Sequence, residues 1–172
     1  IASLGVGDIS ITAISGNTNG GSNVGLSLLG PSNGIFTGAG DIFINATGHG
    51  SGASAGNHGL SAQLGSQILA GGSGNITITG TAGQGSGSNH LGLFLNGAET
   101  MVATLNGNVN VTGSGGGSGV SSFNYGLSMF GGAKVLSAGN GNVTVIGTGG
   151  GADGADFNHG VLLFGDSATI SS

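Results

Sequence analysis

Apolar and polar residues alternate along this chain in short bursts, separated by Gly, Ser and Asn, and the bursts return at a fixed interval. A Gly-Asp or Gly-Asn pair precedes the first burst of each unit and places Asp8, Asp41, Asn75, Asn108 and Asn142 at intervals of 33, 34, 33 and 34 residues. The residues that follow read Asp8-Ile-Ser-Ile-Thr, Asp41-Ile-Phe-Ile-Asn, Asn75-Ile-Thr-Ile-Thr, Asn108-Val-Asn-Val-Thr and Asn142-Val-Thr-Val-Ile. Ile9, Ile42, Ile76, Val109 and Val143 share the first alternate slot, and all ten alternate slots hold Ile or Val. That is the period-two signature of a strand with one buried face. A second marker, Gly followed by an aliphatic residue, opens another burst with Leu26, Leu60, Leu93, Leu127 and Val161 in one slot. Leu28, Ala62, Leu95, Met129 and Leu163 stand two positions further on. A third burst closes each unit at Ile35-Phe36, Ile68-Leu69, Met101-Val102, Val135-Leu136 and Thr169-Ile170, and its pattern does not fix which side chains point inward.

Three short strands cannot enclose a core alone, but equivalent strands of successive units can stack and share one. The pattern therefore predicts an all-β fold: a parallel β-helix, or β-solenoid, of about five turns with three short strands per turn and 33 or 34 residues per turn. The crossover rule makes right-handed coiling the expectation. Residues 1–172 form one domain, with units starting near 8, 41, 75, 108 and 142. At about 4.8 Å per rung, such a rod is about 24 Å long. Gly-rich stretches such as Gly113-Ser-Gly-Gly-Gly-Ser-Gly recur at one place in the turn and read as wide bends needing positive φ. Ile1 is assigned the slot of Val135 and Thr169, so the pattern starts and stops inside a turn. This fits an excerpt of a longer repetitive chain or a subunit that stacks into a fibre.

Composition removes several functions. Gly supplies 43 of 172 residues, Lys and Arg together one, Asp and Glu six, and Cys none. A single cation, Lys134, cannot neutralise a run of phosphates, so no nucleic-acid partner is expected. No apolar run reaches the ~20 residues of a membrane helix, so no membrane insertion is expected either. With no Cys, disulfides and thiolate metal sites are excluded. Ile1 follows no basic-then-apolar leader, which places any signal peptide outside this segment or already removed. So few ionic groups predict a stability that depends little on salt or pH.

The repeat Gly-Asn-Ile/Val-x-Ile/Val, a Gly-rich bend, then Asn-x-Gly-Leu/Val and an aliphatic strand is carried by Gly74-Asn75-Ile76-Thr77-Ile78, Asn57-His58-Gly59-Leu60 and Asn124-Tyr125-Gly126-Leu127. It resembles the repeats of large secreted bacterial β-solenoid proteins of the filamentous haemagglutinin-like kind, over essentially the whole chain. The resemblance implies export to the cell surface and a role in adhesion, biofilm or matrix. On this reading the chain is not an enzyme and uses no cofactor, its partners are other copies in fibres and surface glycans, and its location is secreted or cell-surface.

Asp8 and Asp41 fall in one column and could approach to about 5 Å, a separation compatible with a retaining glycosidase pair. Asn75, Asn108 and Asn142 continue that column, which argues for a structural ladder of short acceptors. A polysaccharide-active or polysaccharide-binding β-helix is the alternative. His58 and His159 are three turns apart, about 14 Å, and cannot share an ion. His90 can approach His58, though two imidazoles without a carboxylate make a poor site. His49 has no evident partner. The bend Gly149-Gly-Gly-Ala-Asp153-Gly-Ala-Asp156 has some features of a calcium nonapeptide, in one copy and with the wrong spacing. Outward slots of the first strand hold Ser10, Phe43, Thr77, Asn110 and Thr144, then Thr12, Asn45, Thr79, Thr112 and Ile146; threonine rows on a flat face raise ice binding as a third reading. Phe94, Phe130, Leu162 and Phe164 are either exposed adhesive positions or core.

Overall fold

A computed structural model describes residues 1–152 and 154–172, and its regular structure is all strand. The strands form three parallel sheets, one for each side of the solenoid, with about five turns and three strands per turn. The first sheet contains Ile9–Ile14, Ile42–Thr47, Ile76–Thr81, Val109–Ser114 and Val143–Thr148. The second contains Leu26–Leu29, Leu60–Gln63, Leu93–Asn96, Leu127–Phe130 and Val161–Phe164. The third contains Ala2–Ser3, Gly34–Thr37, Gln67–Ala70, Met101–Thr104, Lys134–Ser137 and Thr169–Ser171.

Register follows the sequence columns. Ile9 pairs with Ile42, Ile42 with Ile76, Ile76 with Val109, and Val109 with Val143. Leu26, Leu60, Leu93, Leu127 and Val161 stack in the same way on the second sheet. These files meet Ile35, Ile68, Val102 and Val135 of the third sheet in one continuous core. A one-residue slip would turn every file outward, so burial of these side chains fixes the register. Central turns are covered above and below. Terminal turns have one neighbour, and their inward residues are correspondingly exposed, as at Val161 and Leu163.

Three points were not in the sequence pattern. The third strand turns Ile35, Ile68, Val102 and Val135 inward, leaving Phe36, Leu69 and Leu136 on its outer side. Ile170, not Thr169, pairs with Val135, and Lys134 takes Thr169. The reason is the last corner, which is one residue longer from Val161 to Thr169 than from Leu127 to Lys134, as the corners from Leu26 to Gly34 and from Leu93 to Met101 also are. Glycine also serves close approach as much as positive φ. At Gly92 a Cβ would stand 2.4 Å from the Ser114 backbone nitrogen and 2.6 Å from the Gly126 oxygen. At Gly113 it would stand 2.1 Å from that same oxygen. The end of the first strand and the start of the second thus pass with no room for side chains.

Left-handed backbone is nonetheless present, and in one column it recurs in every turn. Ser22, Gly56, Asn89, Phe123 and Phe157 have φ between 54° and 66°. Each stands immediately before the Asn-x-Gly segment, which reads His90-Leu91-Gly92 in the third turn, and turns the chain into the second sheet.

Candidate functional site

Two polar ladders run up the rod. At the corner before the first sheet, the side-chain oxygen of each residue accepts the backbone N–H of its equivalent one turn on. The distances are 2.7 Å for Asp8 with Asp41 and for Asp41 with Asn75, 2.9 Å for Asn75 with Asn108, and 2.8 Å for Asn108 with Asn142. Asn75 also donates its carboxamide N–H to Asp41 at 3.1 Å, and Asn108 to Asn75 at 3.2 Å. The aspartates therefore sit in acceptor positions of a ladder that neutral amides complete.

The second ladder precedes the second sheet and runs the other way. Here the N–H of each residue donates to a side chain one turn ahead: Asn23 to Asn57 at 3.1 Å, Asn57 to His90 at 3.4 Å, His90 to Asn124 and Asn124 to Asn158 both at 2.9 Å. Asn57, His90 and Asn124 are completely buried. His90 replaces a carboxamide: Nδ1 accepts the Asn57 N–H, and Nε2 donates to the Gly87 carbonyl at 3.0 Å. Burial lowers its pKa, opposed by its backbone hydrogen bonds at Gly87 and Gly85.

His58 lies beside it on the outer side. Its Nδ1 accepts the Leu91 N–H at 3.3 Å, which leaves the proton of the neutral ring on Nε2. Burial, and secondarily repulsion from His90, lowers its pKa to about 4. The two imidazoles are thus neutral backbone acceptors, and their Nδ1 lone pairs are taken. Among the described residues, no group of three or more His, Asp or Glu could hold a metal ion. His49 does have a partner: its N–H donates to Ser15 Oγ at 2.7 Å, and its Nδ1 lies 3.1 Å from the Ser15 carbonyl oxygen one turn away. His159 stacks on Tyr125 at 5.5 Å. In the Gly149–Asp156 bend, Asp153 lies outside the described residues, and the Asp156 N–H donates to Ser122 Oγ at 3.1 Å.

The outer side of the second sheet carries most of the aromatic side chains. Because Leu127 and Met129 point inward, Ser128 and Phe130 point outward, and Phe94 occupies the Ser128 column one turn earlier. His58, Phe94, Phe130 and Phe164 follow one another along the rod, with ring centroids 5.6, 6.0 and 5.3 Å apart. Phe123 and Phe157, lifted outward by their left-handed backbone, stack at 5.1 Å. Within this surface lies a groove of about 340 Å³. Leu91 is its aliphatic lining, His58, Phe94, Tyr125 and Phe130 its rings, and Asn89, Asn96 and Ser128 its polar groups.

The outer side of the first sheet is different. Thr77, Thr79 and Thr81 stand on alternate positions of one strand, but Phe43, on the adjacent strand, and Ile146, two strands away, are 43% and 55% exposed and interrupt the face. No uniform hydroxyl lattice results. Comparison with protein-family models, with curated proteins and with solved structures finds no match for this chain.

Proposed function

We propose that this chain is a structural and adhesive segment: a rigid rod of the filamentous haemagglutinin-like kind, secreted or displayed on a cell surface, that associates with other copies into fibres. One observation carries the reading. Every turn is tied to the next by three parallel sheets and by two side-chain ladders, so the hydrogen bonds lie along the rod axis, where a load-bearing element needs them. The weakly charged Ser, Thr, Asn and Gly surface offers little repulsion between copies. Lys134 as the single Lys or Arg makes nucleic acid an unsuitable partner and leaves trypsin one cleavage position, which suits persistence outside cells.

Catalysis has no part in this proposal. Asp8 and Asp41 perform the hydrogen bonding that Asn75 and Asn108 perform further along. Electron microscopy of the purified chain at rising concentration tests the proposal. Filaments or laterally joined rods are expected, and particles that remain compact monomers at the highest concentration overturn it.

A further inference from the structure

We infer that the groove on the second sheet is a binding site for a neutral carbohydrate chain. The inference goes beyond the scaffold reading and does not depend on whether copies join into filaments.

The polar side chains of the two ladders are committed to hydrogen bonds, whereas Ser128 in the groove is not. Ser128 is completely buried, and its hydroxyl has no hydrogen-bond partner; among the described residues only Ser66 shares that condition. Its equivalent two turns earlier in the same column, Ser61, is satisfied by Gln63 Nε2 at 2.8 Å. At Ser128 the corresponding neighbour two residues on is Phe130, which has nothing to donate. A buried unpaired hydroxyl is costly, and natural structures hold few of them. Here it lies between two rings, Phe94 beside it in register and Phe130 two residues on, whose centroids are 6.0 Å apart and edge to face. A ligand hydroxyl that reaches it as one of those rings turns aside supplies the missing partner.

The remaining groups define the ligand class. Nε2–H of His58 is a donor directed by the tautomer that Leu91 imposes. The carboxamides of Asn89 and Asn96 line the groove and make no hydrogen bond among the described residues, as is true of several surface asparagines outside the ladders, so both are available to a ligand. No Lys, Arg, Asp or Glu lines the groove, so neither a phosphate nor a cation is matched. Rings set among neutral donors and acceptors suit a ligand with apolar C–H faces and a hydroxyl rim, which describes a pyranose. The rings repeat along the rod at about one per rung, comparable with the repeat of sugar units in an extended glycan, so the chain would lie along the axis. The volume of about 340 Å³ is within the usual range for small-molecule sites.

The experiment is calorimetric titration of the whole chain with cellohexaose, mannohexaose and chitohexaose. Saturable binding of at least one is expected, weakened tenfold or more by Phe94→Ala and by Phe130→Ala, and several-fold by Ser128→Ala. Phe43→Ala, on the first sheet, is expected to leave it unchanged. Circular dichroism of each variant verifies the fold, and Ser128→Ala removes only a hydroxyl, so loss of binding there cannot be attributed to unfolding. Absence of saturable binding to all three sugars overturns the inference. So does binding that Phe43→Ala and Phe130→Ala weaken equally. Uptake of an apolar dye at the groove without any sugar binding overturns the ligand class as well. Filament formation, read separately by microscopy, can succeed or fail in either case.

Discussion

The two ladders solve one problem under different conditions. Both cap a backbone N–H on one turn with a side-chain acceptor from an adjacent turn, and both use asparagine. The corner ladder lies near solvent and accepts aspartate at Asp8 and Asp41. The other passes through the interior at Asn57, His90 and Asn124, and among those positions the departure from asparagine is a neutral imidazole. As acceptor of the ladder N–H a carboxylate would serve in either place, though in the interior its second oxygen would also face the Ser121 carbonyl to which Asn124 now donates. Desolvation permits it in one, because an ionised group loses its hydration in the interior and nothing there offsets the loss.

The strongest way to break this contrast is Asn124→Asp. The change replaces donor N–H groups to the Ser121 carbonyl (2.8 Å) and hydroxyl (3.0 Å) with a second acceptor and buries a charge. A loss of about 4 kcal/mol is expected by urea unfolding at pH 7. A variant as stable as the parent would show that burial does not govern the ladder.

Acid provides the next test. The folded-state pKa values of His58 and His90 are lowered from 6.5, so between that value and the folded values the unfolded chain binds more protons. Stability is therefore full above about pH 6.5, falls as pH drops towards about 4, and for His58 levels off below that value. For His58 the shift from 6.5 to about 4 corresponds to no more than about 3 kcal/mol, reduced by its partial exposure. His90→Asn restores the column residue and should make the acid-induced fall shallower, measured as urea midpoints at pH 7, 6, 5 and 4.5. An unaltered pH profile would remove His90 from the explanation.

Smaller effects belong to the exposed ladder. Asn108→Ala frees the Asn142 N–H, which water can reach, so about 1 kcal/mol is expected from thermal unfolding. A loss comparable with that at Asn124 would erase the distinction between the ladders. Smallest of all is Asp41→Asn, which keeps the acceptor for Asn75 and relieves repulsion from Asp8. Its effect should remain within about 0.5 kcal/mol and shrink further in high salt.

Much of this was legible from the chain. Ile9, Ile42, Ile76, Val109 and Val143 identify a file because alternation and period coincide there, and the structure stacks them as read. The Asp8-to-Asn142 column was legible as a ladder because one slot repeatedly holds a short acceptor. The groove was only half legible. Phe94, Phe130, Leu162 and Phe164 are outward by parity once Leu127 and Met129 are inward, yet Phe123 and Tyr125 lie outside that strand. Their positions follow from the left-handed residues before the Asn-x-Gly segment, and the Phe123 side chain gives no hint of such a φ. The pairing of His49 with Ser15 was hidden because both stand in irregular bends one turn apart. Composition predicts insensitivity to salt and pH alike, yet pH enters through imidazoles whose burial a composition does not reveal.

By itself the amino-acid sequence determined the period, the three strands per turn, the inward aliphatic files and the exposed ladder, since each is a repeated local preference that stacking amplifies. Tertiary structure decided the parity of the third strand, the pairing of Ile170 with Val135, the neutral states of His58 and His90, and the meeting of the aromatic rings over an unpaired Ser128. Those features depend on which backbone turns and side chains come together in space, and desolvation acts only once they have done so.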